Sequence, residues 1–115
     1  PQNRRFVEAW KKGFGAASTP DFMAVQGYDG MAAIAHAVVT LKGRLDPEKT
    51  IDALKGWKFN SPRGPIMIDP ATRDIVMNEY LSEVVKSGGR VGAKKLRTIN
   101  AVKDMCKELK EGKCK

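Results

Sequence analysis

Pro62, Gly64 and Pro65 fall within four residues, and no helix continues through such a cluster. The residues preceding the prolines are pushed toward extended geometry as well. The chain therefore divides at this corner into an upstream and a downstream part. Upstream, GYDGMAAIAHAVVTLKG carries Met31, Ile34, Ala35, Val38 and Leu41 at the spacing of one apolar helical stripe, and Gly43 stops it. Asp29, His36 and Thr40 share the opposite face, which is expected to be the wet one. Phe6 and Trp10 stand four apart, with Phe14 on the next turn, and predict a packing ridge on an earlier helix. A short helix, DPEKTIDALKG, is marked by Asp46 at the N-cap, Pro47 at the first turn, Glu48 against the positive helix end and Gly56 after the last turn.

Downstream, WKFNSPRGP reads as a linker or crossover on which Trp57 and Phe59 alternate. Ile66, Met67 and Ile68 form a brief apolar run, Asp69 and Pro70 open a turn, and Ile75 to Val85 resumes with β-branched and aromatic residues before Ser87, Gly88 and Gly89. Two strands around an ordered turn are expected. Beyond them, Leu96, Ile99, Val102, Met105, Cys106 and Leu109 recur at helical spacing and predict a basic amphipathic helix and tail over residues 92–115.

The net charge of +8 is concentrated in that tail: from Lys86 onward ten Lys/Arg face three Asp/Glu, against eleven and ten before it. No aromatic platform interleaves with the lysines, so they read as a solvated helix face and no nucleic acid is expected as a partner. No apolar run is long enough to span a bilayer. Catalysis finds little to work with. The chain lacks Gly-x-Ser-x-Gly, His-Glu-x-x-His and a phosphate-cradling loop, and Gly13-Phe14-Gly15 has no strand–helix context for one. Asp69 and Asp74 do what Asp does beside a turn, and Glu79 and Glu83 face solvent on a strand. We expect no enzyme and no cofactor. A zinc site is not expected either, because the sole histidine, His36, lies on a different element from Cys106 and Cys114.

Four elements in series, FMAVQGYDGMAAIAHAVVTLKG, DPEKTIDALKG, SPRGPIMIDPATRD and MNEYLSEVV, resemble the C-terminal third of type I periplasmic solute-binding proteins, the receptors of branched-chain amino-acid ABC importers. The resemblance runs over roughly residues 3–105 and rests on serial order, since YDG, GP and DP are common dipeptides. It implies an α/β fold: the C-terminal fragment of a two-lobed protein, with helices, a short strand pair and a C-terminal helix. Residues 1–60 would belong to the first lobe, and residues 61–91 would form the crossover and strand pair of the second. It also implies a periplasmic receptor for a small amino-acid-like or organic-acid ligand, delivering to an ABC permease in the membrane.

By the same resemblance Met23 occupies a position whose side chain lines the cleft in amino-acid-binding members. Gln26 nearby offers an amide to a polar ligand group. Arg63, between Pro62 and Gly64, is either a hinge ion-pair donor or a docking residue for the permease. An oxidising periplasm would permit a local disulfide between Cys106 and Cys114, although eight residues span about 12 Å of straight helix and a bridge needs the tail to fold back. A first residue other than Met fits a fragment, and uncovered apolar helix faces would make such a fragment self-associate. The alternatives are an independent small basic α+β interaction module and a ligand-sensing regulator domain.

Overall fold

The computed structural model describes residues 1–109. The chain runs α1 (Gln2–Phe14), α2 (Phe22–Thr40), α3 (Pro47–Leu54), β1 (Lys58–Ser61), β2 (Gly64–Ile68), β3 (Ile75–Ser87), β4 (Arg90–Val102) and α4 (Met105–Leu109). The starts of α2 and α3 coincide with side chains that take an orphan N–H, whereas α1 begins after Pro1 with no side-chain cap. Asp21 accepts from Ala24 N at 2.9 Å to open α2, and Asp46 accepts from Lys49 N at 3.1 Å to open α3. The sequence places the start of the long helix near Tyr28. It lies a turn and a half earlier because Asp21 caps it there and Gly27 and Gly30 are carried inside it.

The four strands form one antiparallel sheet in the order β1-β2-β3-β4. The segment expected to be a linker is the β1–β2 hairpin, with Ser61 paired to Gly64 across the turn. Its Pro62 and Arg63 occupy the turn, where no ladder bond is lost. The expected strand pair is β2 and β3, joined by the Asp69 turn. The expected helix from residue 92 is a correction. Residues Arg90–Val102 are strand β4, paired with β3 through a two-residue turn in which Gly88 and Gly89 adopt φ 55° and 76°. The helix there is confined, among the described residues, to Met105–Leu109. The rest of the predicted tail, with Cys114, lies outside the described residues.

A continuous run of rings fastens helices to sheet. Phe14 meets Trp10 at 4.3 Å between centroids, Trp10 meets Phe6 at 6.3 Å, Phe6 meets Tyr28 at 5.4 Å, and Tyr28 meets Phe59 at 6.2 Å. Phe59 then stacks with Trp57 at 5.3 Å and Trp57 with His36 at 5.0 Å. His36 is thus half-buried against an indole rather than on a wet face.

The burial of α2 is the reverse of what its sequence suggests. Asp29 and Ala37 are buried, whereas Met31 and Ile34 on the apolar stripe are 62% and 55% exposed. Asp29 and His36 on the polar side of α2 pack inside this chain while Thr40 stays exposed, and most of the oily side is left open. The buried apolar core is correspondingly small, with Phe6, Ala37, Ile66 and Val76 its members among the described residues. The Cα radius of gyration of 17.1 Å exceeds the about 13 Å expected of a compact chain of this length.

Candidate functional site

The turn between β1 and β2 is where the helices, the sheet and the base of the β3–β4 hairpin converge. Ser61, buried, accepts from Arg63 N at 3.2 Å and closes the turn. Arg63 reaches back to α2 and donates from Nε to Asp29 Oδ2 at 2.9 Å. Tyr80 on β3 donates its hydroxyl to the Arg63 carbonyl at 2.7 Å. Gly64 sits at φ 118°, a conformation glycine adopts without strain, and a Cβ there would lie 2.5 Å from the Tyr80 oxygen.

Asp29 is only 6% exposed. A carboxylate so placed is tolerated when a cation is held against it, and Arg63 supplies that cation. The second oxygen, Asp29 Oδ1, is buried with no hydrogen-bond partner among the described residues. Beside the corner lies an open groove of about 520 Å³ lined by Val25, Arg63, Tyr80, Ser82 and Lys95, with the Lys95 ammonium 5.4 Å from the Tyr80 ring centroid.

Met23 and Gln26 lie three residues apart on the first turns of α2, on one face of the helix. Both are exposed, Met23 by 60%, and neither lines that groove. They project from the same helix end as Val25 without being enclosed by this chain. Sequence reasoning singles out Arg63 but misses its partners. Asp29 reads as a solvent residue because it opposes the apolar stripe, and Tyr80 carries no signal beyond being an aromatic on a strand.

The acidic turn does structural work. Asp69 Oδ1 accepts from Ala71 N at 2.8 Å, and Asp69 N donates to the Asp74 carbonyl at 2.8 Å. The Ala71 N–H, then the Lys103 ammonium at 3.2 Å, hold the Asp69 carboxyl below its ordinary range. Lys107, at 2.7 Å, does the same for Asp74 and pins α4 to the turn. Cys106 on α4 is disulfide-bonded. Among the described residues no three His, Cys, Asp or Glu side chains gather as a metal cage, and no helix is long and apolar enough to cross a membrane.

The chain has relatives among known proteins. The profile of the family described as "Periplasmic binding protein" matches residues 1–90. A Leu/Ile/Val-binding protein homolog 6 from Brucella abortus is 42% identical over 87 residues, 76% of this chain and 22% of the relative. A solute binding protein of an ABC transporter from Rhodopseudomonas palustris BisB5, solved in complex with 3,4-dihydroxy benzoic acid, superimposes with a TM-score of 0.84 at 46% identity. That match covers 90% of this chain and 28% of the other. Another, from R. palustris HaA2 in complex with p-hydroxybenzoic acid, gives 0.82 at 37% identity and covers 91% and 28%. The chain thus spans about a quarter of the length of the proteins it resembles.

Proposed function

The chain belongs to the family of type I periplasmic binding proteins, and from that premise we propose that it forms the C-terminal part of the extracytoplasmic solute-binding component of an ABC importer. The solute sits between two lobes, stabilises their closed arrangement, and is passed to a membrane permease. We further propose that the solute is a hydroxybenzoate-class aromatic acid. The observation that carries this reading is the 46% identity and 0.84 TM-score to a solute-binding protein holding 3,4-dihydroxy benzoic acid. Two more hydroxybenzoate complexes, at 37% and 36% identity, lend support.

Met23 and Gln26 are the residues of this chain assigned to the solute. A methionine thioether packs well against an aromatic ring, and an amide at the start of a helix suits a phenolic hydroxyl or a carboxylate. Catalysis has no part in this reading, and the open apolar stripe on α2 accords with a chain that needs further layers to complete a lobe.

The test is calorimetric titration of the complete two-lobed receptor with 3,4-dihydroxybenzoate, 4-hydroxybenzoate and leucine. Binding of either aromatic acid, weakened about ten-fold by Met23→Ala, is the expected result. Saturable binding of leucine with no response to either acid would replace the aromatic solute by an aliphatic amino acid.

A further inference from the structure

The corner holds a bend as well as a turn. β2 pairs with β3 only where Ile66–Ile68 face Ile75–Met77, and beyond Met77 the partner of β3 is β4. The ladder shifts register between Met77 and Glu79 and again between Leu81 and Ser82, so the two irregularities bracket Tyr80. Across from them Ala101 is at φ 52°, with its N–H taken by the Asn78 side chain at 3.0 Å. Bulges concentrate bending and twist. Tyr80 therefore stands where the hairpin leaves the sheet, and at that point its hydroxyl is tied through Arg63 to Asp29 on α2.

That path crosses from helix to turn to hairpin in two contacts, 2.9 and 2.7 Å long. Its anchor is sensitive to geometry: a carboxylate 6% exposed, with one oxygen unpaired, tolerates little separation from its arginine. We infer that Asp29, Arg63 and Tyr80 are positioning residues for solute capture: together they hold the helical part and the hairpin at the angle of the loaded receptor. The inference rests on the two-lobed receptor reading above. Its direction comes from the close superposition on a solute-bound structure over 90% of this chain, a share that takes in both sides of the corner. Losing the tie lowers the population of the capture-ready arrangement and weakens apparent affinity by that fraction.

Tyr80→Phe removes one oxygen and keeps the ring. In the complete receptor it is expected to bind 3,4-dihydroxybenzoate about five-fold more weakly than the wild type, the scale of one lost hydrogen bond, with its thermal midpoint nearly unchanged. Asp29→Asn, which keeps the shape but loses the charge, should act in the same direction. A lowered midpoint with unchanged affinity would make the three residues ordinary structural contacts and overturn the inference. X-ray scattering without solute separates this from the choice of ligand. Should the wild type ignore hydroxybenzoates, the solute assignment falls, while a broader profile for Tyr80→Phe still supports the tie and identical profiles overturn it.

Discussion

Gly64 is the residue on which the corner closes most tightly. A methyl group at Gly64 would meet the Tyr80 oxygen at 2.5 Å and would also force an L-residue to φ 118°. Gly64→Ala is therefore expected to destabilise the chain by about 2 kcal/mol, read as a lower midpoint in urea with the slope unchanged. Asp29, one contact away, shows what the sequence leaves open at this scale. Its placement opposite Met31 and Ile34 marks the two sides of a helix correctly, but which side is covered depends on what packs there. In this chain the covering groups are Arg63 and the ring series, so the charged side is buried. Arg63 was legible as either a hinge ion-pair donor or a docking residue, with nothing in its spacing to choose between the two. The identity of its acceptor, 34 positions away, was not.

At the level of elements, α4 is fastened to the Asp69 turn by Lys103 and Lys107. Both carboxyls lie below their ordinary value in the folded chain. The stabilisation they give is therefore present above the normal carboxylate range and is lost as pH falls through their depressed values. Lys107→Ala is expected to raise the Asp74 titration midpoint toward 3.8, observed by carboxyl NMR, and to loosen α4 at every pH, because its tie to Asp74 is gone. The helices α1 and α3 were readable because ring spacing and an Asp-Pro start are local signals. β4 was not, and the reason lies in its pairing. Leu96 falls between Lys95 and Arg97, which pair with adjacent residues of β3, and Asn100 and Ala101 fall between Ile99 and Val102, which oppose Glu79 and Met77. Each extra residue advances the phase of a two-residue repeat, so Leu96, Ile99 and Val102 come out three apart and imitate a helix.

The whole molecule leaves much apolar surface open for its size. Met31, Ile34 and Val38 form an uncovered row on α2, and Val84 and Val91 near the hairpin end are 78% and 73% exposed. Surfaces of this kind associate in water. Taken alone at tens of micromolar, the chain is expected to sediment with a weight-average mass above that of one copy, and Met31→Lys with Ile34→Lys should bring it toward a single copy. A mass independent of concentration in the unaltered chain would count against this. The hairpin's reach magnifies whatever happens at its base. From Tyr80 to the glycine turn it extends about 23 Å, so a swing of about 10° at the bulges carries its tip about 4 Å, wide enough to admit or expel a layer of water. About an ångström of slack in one tyrosine–carbonyl contact, taken over the length of the tyrosine side chain, is thereby geared up into several ångströms at the tip.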